Sequence, residues 1–357
     1  MKKFLSLMLA LLSLVLLVAC GDTSNDDPLT PGETEIVTDT DGNAVTDTDG
    51  NVVTKPTTVT IRSMNANKEY ADLVVPYDPQ RIAILDMPSL DIIDGLGLGD
   101  RVVGSAAVSI EYLTDYNPDD SDGKILNLGS IKTMDLEQVL LCDPDIIFIG
   151  GRLSSSYDTL SEIAPVVYLG VDYEKGVVQS TADNAKTIAS IFGKEAEIDA
   201  MMAGFQTRIN ALKNVINGKN VLLCMFNNNS LSLMDTESQL NIIAKELGGV
   251  NLGENVGDFD KPTHGEDASW ESIVNINPEY MFVLDRSTAI GSTTTDDGTP
   301  IVGAQTAIEN ALIKEMNVYK EGKIVYFVTH ANVWYTSTGG IQALDTMLSD
   351  LETALIK

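Results

Sequence analysis

The sequence predicts an α/β protein of two lobes, each with a mainly parallel central sheet, joined by a long backbone helix. Three observations lead to this prediction. Short apolar runs alternate with helical patterns from residue 57 onward, which indicates strand–helix–strand units. A long helical pattern at 178–217 contains no strand, and the alternation restarts after it. We therefore expect an N-terminal lobe at 57–177, a connecting helical segment at 178–217 and a C-terminal lobe at 218–357.

The elements of the N-terminal lobe are predicted from apolar runs of strand length and from the amphipathic stretches between them. Runs rich in isoleucine and valine predict buried strands, and glycines after the first amphipathic stretch predict the end of its helix. The predicted strands lie at 81–86, 101–104, 144–151 and 166–169, and the predicted helices at 89–97 and 135–140.

The connecting segment has one apolar stripe and a break near Gly193. Its apolar residues are spaced three or four apart, as on one buried helix face: Ile198, Met201, Met202, Phe205, Ile209, Leu212 and Val215. The C-terminal lobe is then predicted to have strands at 220–226, 279–285 and 323–328 and helices at 240–249 and 339–356. Because open α/β sheets bind ligands beyond the carboxyl ends of their strands, two such lobes place those ends across one cleft.

The first residues have the pattern of a bacterial lipoprotein signal peptide at 1–19. A basic start at Lys2 and Lys3 precedes an apolar run that ends in Leu-Val-Ala-Cys20-Gly. The small Ala19 suits cleavage and the Cys20 thiol suits lipidation, whereas the alternative is an ordinary signal peptide followed by an unrelated cysteine. No later stretch has the ~20 apolar residues that cross a bilayer. We therefore expect an extracytoplasmic protein anchored to the cell membrane by lipid on Cys20.

Residues 20–56 are predicted to form a disordered acidic tether. They are rich in Asp, Thr, Gly and Asn, and an octapeptide that starts at Val37 nearly repeats at Val45. Such a segment cannot bury enough apolar surface to offset the entropy lost on ordering. Its Asp-x-Asp-Gly sequence also allows a calcium loop, but the downstream Glu of an EF-hand is absent.

The charge and the cysteines limit the classes of function. The formal charge of −29 argues against nucleic acid as a partner, because phosphates require a basic surface. Because basic residues are scarce, each arginine is a more informative candidate for binding a ligand.

Cys142 and Cys224 could form one disulfide in an exported protein. Because each lies beside an apolar run in a different half of the chain, two separate buried thiols are favoured.

Several segments form an ordered set of motifs. A run that starts with Asp143-Pro-Asp ends in Gly-Gly-Arg152, and His264-Gly is followed three residues later by Ser-Trp-Glu-Ser-Ile-Val. Leu-Asp-Arg286 ends a predicted strand, and Trp334-Tyr335 is followed by Gly-Gly. With this set, residues 70–356 resemble the class III substrate-binding proteins of ABC importers. More narrowly, they resemble the ferric-siderophore-binding lipoproteins that take catecholate and petrobactin-type ligands.

The resemblance implies a ligand-binding role without catalysis and a set of contacts. Arg152 and Arg286 match cleft arginines, and His264 and Tyr335 match a pair that coordinates iron in some members. Gln239 stands where the family has a third cleft arginine, which favours a ligand of lower charge. Trp334 is a further candidate for ligand contact.

The chemistry of these residue types agrees with such a role, although each also has a simpler interpretation. Arginine presents a fixed fork of donors to catecholate oxygens, and ferric iron accepts phenolate and imidazole ligands. The simpler interpretations are a surface ion pair for Arg152, a strand-end cap for Arg286, a solvated loop histidine for His264 and an aromatic packing pair for Trp334 and Tyr335. The chain has only two histidines, which argues against a histidine-rich zinc site.

The resulting expectation is a monomeric protein that captures a ferric siderophore without an intrinsic cofactor. Its partners would be the siderophore, the permease and ATPase of an ABC importer, and the membrane through the lipid. The sequence lacks the nucleophile elbow, phosphate loop and dinucleotide fingerprint of common enzyme classes, so we do not expect an enzyme. Two alternatives are a cobalamin or haem binder of the same class and a surface adhesin on this scaffold.

Overall fold

The computed structural model describes residues 34–39, 42–121, 123–255, 266–267 and 269–356. Its first elements are two short antiparallel strands, β1 (Thr34–Ile36) and β2 (Thr54–Pro56). Between them the octapeptide repeats form tight turns, in which Asp47 Oδ1 accepts the backbone N–H groups of Asp49 and Asn51, both at 2.9 Å. The structure thus differs from the prediction of a disordered 20–56 over its second part, because aspartate side chains close local turns without a core. Cys20 lies outside the described residues.

The N-terminal lobe combines an antiparallel hairpin with a parallel sheet. In the hairpin, which was not predicted from the sequence, β3 (Thr58–Met64) pairs with β4 (Tyr70–Pro76). The sheet has the strand order β7-β6-β5-β8-β9, and all its pairs are parallel. Its elements are β5 (Ile82–Leu85), α1 (Met87–Gly95), β6 (Val102–Ser105), β7 (Leu126–Asn127), α2 (Leu136–Cys142), β8 (Ile146–Ile149), α3 (Tyr157–Ser161) and β9 (Val166–Tyr168).

Two helices connect the lobes, α4 (Val177–Ile191) and α5 (Glu195–Ile216). Gly193 lies between them with a φ of +66°, a conformation that suits glycine and ends the first helix. Each helix contributes to both cores. The end of α4 and the start of α5 pack in the N-terminal core, whereas Val177 and the second half of α5 pack in the C-terminal core. The predicted break near Gly193 therefore separates two helices that run in opposite directions between the cores.

The C-terminal lobe contains a mixed sheet of order β13-β11-β10-β14-β15, with β12 also paired to β10. The pairs β10–β12, β10–β14 and β14–β15 are parallel, and β11 is antiparallel to both neighbours. Its elements are β10 (Asn220–Asn227), β11 (Ser230–Leu233), α6 (Asn241–Lys245), β12 (Val250–Asn251), β13 (Glu266–Asp267), α7 (Trp270–Ile276), β14 (Tyr280–Asp285), α8 (Arg286–Ala289), α9 (Ala304–Ile308), α10 (Asn317–Lys320), β15 (Ile324–Phe327), α11 (Ala331–Thr336) and α12 (Ile341–Leu355).

The predicted α/β architecture of two lobes with mainly parallel sheets is confirmed. The central strands β5 and β8 are buried at every position, as expected for parallel strands covered on both faces. Cys142 and Cys224 are free, buried thiols in separate cores, as the sequence favoured. Burial raises the pKa of Cys142 to about 11. Within the described part of the chain, no helix is both long and apolar enough to span a bilayer.

Candidate functional site

Two arginines lie at the carboxyl ends of central strands, one in each lobe. Arg152 follows β8 and Gly150-Gly151, in a short 3₁₀ turn at Gly151–Ser156. Arg286 follows β14 directly and is the first residue of α8. The carboxylate of Asp285 fixes this turn, because it accepts the backbone N–H of Thr288 at 2.9 Å and that of Ala304 at 3.0 Å. Strand ends therefore position both guanidinium groups.

The phenol of Tyr335 on α11 joins the two arginines. Its Oη accepts a hydrogen bond from Arg286 Nε at 2.8 Å and another from Arg152 Nη2 at 3.3 Å. The guanidinium carbons of Arg286 and Arg152 also lie 5.2 and 5.8 Å from the centre of the Tyr335 ring, within the range of cation–π contact. Tyr335 is only 6% exposed. We call Arg152, Arg286 and Tyr335 the arginine–tyrosine cluster.

Asn227 supports this cluster and was not predicted from the sequence. It ends β10, and its Oδ1 accepts a hydrogen bond from Arg286 Nη1 at 2.6 Å. Its position at a strand end beside β14 was the signal that could have identified it. Among the described residues, neither Arg152 nor Arg286 forms an ion pair with a carboxylate. The positive charge of the cluster is therefore not neutralised by these residues, in a chain with a net charge of −29.

Arg152 and Tyr335 of the cluster line a cavity between the lobes with about 480 Å³ of empty space, part of it open to solvent, and Arg286 lies behind Tyr335. We call this cavity the inter-lobe cavity. Its lining combines residues from the carboxyl ends of β5 and β8 with Tyr335: Asp86, Pro88, Ile131, Gly150, Arg152 and Tyr335. At another contact between the lobes, Asn332 Nδ2 donates a hydrogen bond to the backbone carbonyl of Ser109. The cavity lies where open α/β sheets bind ligands.

Trp334 does not belong to this cavity, which corrects the prediction of a ligand contact. Its side chain is fully buried, and its ring stacks on Phe327 with the ring centres 4.0 Å apart. Its Nε1 donates to Asp350 Oδ2 at 2.9 Å. The physical reason is the helical geometry of α11, on which successive side chains point in different directions. Tyr335 therefore faces the arginines while Trp334 packs in the C-terminal core.

The remaining predicted site residues are not joined to the cluster. Gln239 is partly buried in the loop before α6, and no described contact links it to the two arginines or Tyr335. His264 lies outside the described residues. The other histidine, His330, pairs with Asp350 through Nδ1 at 2.8 Å. In the described ranges, no three His, Cys, Asp or Glu side chains are grouped so that they could hold a metal ion.

The fold and the cavity define a two-lobed ligand-binding protein, and comparison with known proteins gives the family. Residues 82–327 match the periplasmic binding protein family, and the chain belongs to that family. The family and the matched relatives are binding proteins, so this chain is not an enzyme.

Two named relatives bind siderophores, and a third is named as a lipoprotein. Petrobactin-binding protein YclQ of Bacillus subtilis is 32% identical over 360 residues, which covers 100% of both chains. Its crystal structure superimposes with a TM-score of 0.73 over 84% of this chain and 99% of that one. The catecholate-siderophore-binding protein VctP of Vibrio cholerae is 25% identical, with a TM-score of 0.71 over 82% of this chain and 99% of that one. The probable siderophore-binding lipoprotein YfiY of Bacillus subtilis is 25% identical over 79% of this chain and 84% of its own.

Proposed function

We propose that this protein captures a ferric siderophore, of catecholate type, in the inter-lobe cavity and delivers it to the permease and ATPase of an ABC importer. The arginine–tyrosine cluster is the observation that carries the proposal. Two guanidinium groups from different lobes meet beside one cavity, without carboxylate partners among the described residues. Arginine forks suit the oxygens of an anionic ferric catecholate, because charge-assisted hydrogen bonds are strong and geometrically selective. The names of the relatives YclQ and VctP agree with this ligand class.

Direct coordination of the iron by Tyr335 and His264 is a finer part of the proposal. A siderophore with four donor oxygens leaves iron positions open, and phenolate and imidazole are suitable ligands for ferric iron. In the structure, Tyr335 Oη already accepts hydrogen bonds from both arginines. A phenolate oxygen has three lone pairs, so Tyr335 could bind iron and still accept these hydrogen bonds, which would hold both arginines near the iron.

The function is tested by titration of the purified protein with a ferric tris-catecholate, a ferric bis-catecholate, haem and cobalamin. We expect both ferric catecholates to elute with the protein in gel filtration and to quench its tryptophan fluorescence. Binding of haem or cobalamin, but of neither ferric catecholate, would mean that the ligand is not a siderophore. Binding of none of the four would contradict the proposal and favour the adhesin alternative.

The visible spectrum of the same bis-catecholate complex tests iron coordination. If Tyr335 coordinates iron, Tyr335→Phe should remove a phenolate charge-transfer contribution that the wild-type complex shows, and His264→Ala should also change the spectrum. Wild-type spectra in both variants would mean that Tyr335 only orders the arginines. If both variants fail to bind the bis-catecholate, the tris-catecholate, which needs no protein ligand, separates two explanations. Retained binding of the tris-catecholate would leave the arginine–tyrosine cluster as the binding element and support iron coordination. Loss of the tris-catecholate as well would mean that both residues are needed for binding of any ferric catecholate.

We further propose that the protein is a monomer held outside the cell membrane by lipid on Cys20. The lipoprotein signal-peptide pattern that ends at Cys20 and the naming of the relative YfiY as a lipoprotein support this location. We expect a Cys20→Ala variant, once its signal peptide is removed, to leave the membrane fraction. A processed variant that stays with the membrane would contradict lipidation at Cys20.

A further inference from the structure

Asp86 is an acidic residue in the lining of a cavity that is otherwise suited to an anion. It follows β5 and caps the N-terminus of α1, where its Oδ2 accepts hydrogen bonds from Ser89 N at 3.1 Å and Ser89 Oγ at 2.7 Å. It also lines the inter-lobe cavity together with Arg152 and Tyr335. One oxygen of this carboxylate therefore caps the helix, which leaves the other oxygen for a different contact.

The second oxygen, Oδ1, lies beside Gly150. Because β5 and β8 are paired in register, Asp86 is adjacent to Gly150, and a Cβ atom built on Gly150 would lie 2.5 Å from Asp86 Oδ1. A side chain at position 150 would therefore have to displace this oxygen from its place at the cavity wall. Among the described residues, no donor binds Oδ1, and the ion pairs do not include Asp86. Asp86 Oδ1 is thus an acceptor without a described protein partner.

A carboxylate in this place has an energetic cost that a ligand can relieve. Burial raises the pKa of Asp86, while the hydrogen bonds from Ser89 oppose this rise. A purely anionic ligand would be repelled by the ionised group, whereas a ligand that brings a positive donor would form a charge-assisted hydrogen bond. The cavity therefore combines Arg152, for the anionic part of a ligand, with one acceptor for a cationic part.

We propose that Asp86 determines specificity by accepting, through Oδ1, a hydrogen bond from a protonated amine in the backbone of the siderophore. The inference rests on the proposed function and narrows it to ferric catecholates that carry a cationic amine between their catechol groups. Arg152 and Arg286 hold the catecholate oxygens, and Asp86 selects among ligands that offer the same catecholates. Gly150 makes this selection possible by leaving the oxygen uncovered.

The test uses two ferric bis-catechol amides that differ in one group. One is built on dipropylenetriamine, with a protonated secondary amine at its centre, and the other on diaminoheptane, with a methylene in its place. We expect the wild-type protein to prefer the amine ligand by roughly tenfold or more, the size of a hydrogen bond between charged groups. Asp86→Asn keeps the helix cap and the size of the side chain but removes the charge. It should lose most of this preference through weaker binding of the amine ligand.

Two controls separate the possible outcomes. Ser89→Ala removes a donor to Oδ2 but leaves Oδ1 in place, so it should retain the wild-type preference. A wild-type preference in Asp86→Asn, or an equal loss of affinity for both ligands, would overturn the proposal and leave Asp86 as a helix cap alone. If the wild-type protein binds neither ligand, the siderophore function itself fails, and this result differs from the loss of preference alone.

Discussion

Replacement of Asp91 by alanine should lower the free energy of unfolding by about 3 kcal/mol or more at pH 6. Asp91 on α1 is fully buried and binds the start of α12, a helix that packs in both cores. Its Oδ1 accepts Gln342 N at 2.8 Å, and its Oδ2 accepts Ala343 N at 2.9 Å and Tyr112 Oη at 2.6 Å. Alanine removes the acceptor of these three donors, of which the Ala343 N–H is buried and the other two are partly buried, at about 1–3 kcal/mol for each buried donor. Denaturant unfolding followed by circular dichroism measures the loss.

Asp91 reaches the start of α12 because Gly340, the residue before this helix, lies close to the Asp91 carboxylate. The matched control for the alanine variant is Asp91→Asn. A Cβ atom on Gly340 would lie 2.6 and 2.7 Å from the two carboxylate oxygens, so only glycine allows the contact. Asparagine has the same shape and keeps one acceptor, so we expect a smaller loss than for alanine. Equal stability of the alanine variant and the wild type would show that Asp91 does not hold α12 in place.

The contribution of Asp91 should also depend on pH. Burial raises the pKa of Asp91 to about 7, although the three donors oppose this rise. Because the unfolded chain has a lower pKa, about 3.9, the folded state binds the proton more tightly. The stabilisation is therefore complete below about pH 4 and is lost as the pH rises through 7. The stability advantage of the wild type over Asp91→Asn should fall between pH 5 and pH 7 by up to about 1.4 kcal/mol per pH unit. An advantage that grows with pH would contradict this assignment.

The sheets could be predicted from the sequence because their strands are covered on both faces. The run Ile146–Ile149 is fully buried, and a continuous apolar run of this length is typical of a central strand in a parallel sheet. The exposed turns before residue 57 could not be predicted in this way. They depend on hydrogen bonds from nearby amides to single aspartates such as Asp47, and these bonds form without any buried core.

The candidate site was predictable where its residues follow strands and less so where they lie on helices. Arg152 and Arg286 follow buried strands, and the rule for parallel sheets places them at the ligand edge of each lobe. Trp334 and Tyr335 are neighbours on one short helix, and which ring enters the core depends on the packing against Phe327. Asn227 and Asp86 carry no motif of their own, and only the pairing of β10 with β14 and of β5 with β8 shows their place.

Replacement of Arg286 by alanine should weaken ferric catecholate binding by roughly ten- to hundredfold, because one hydrogen bond to a charged group contributes about 1.5–3 kcal/mol. Arg152→Ala should have an effect of the same order, because Arg152 lies in the lining of the cavity. Arg286 is held in place by Tyr335 and Asn227 at 2.8 and 2.6 Å, whereas the described hydrogen bond of Arg152 to Tyr335 is longer, at 3.3 Å. Loss of Arg286 also leaves Asn227 and Tyr335 without this donor. Fluorescence titration of the two variants measures the effect.

The substitutions that accompany this experiment separate charge from geometry. Arg62 lies on β3 with a side chain that is 58% exposed, so Arg62→Ala makes the same change in net charge away from the cavity and should bind like the wild type. Arg286→Lys keeps the charge but loses the fork that contacts two partners at once, so it should recover only part of the affinity. Full recovery by lysine would mean that charge alone carries recognition. If both alanine variants bind ferric catecholates with wild-type affinity, the arginine–tyrosine cluster is not the binding site, and the ligand must contact other residues.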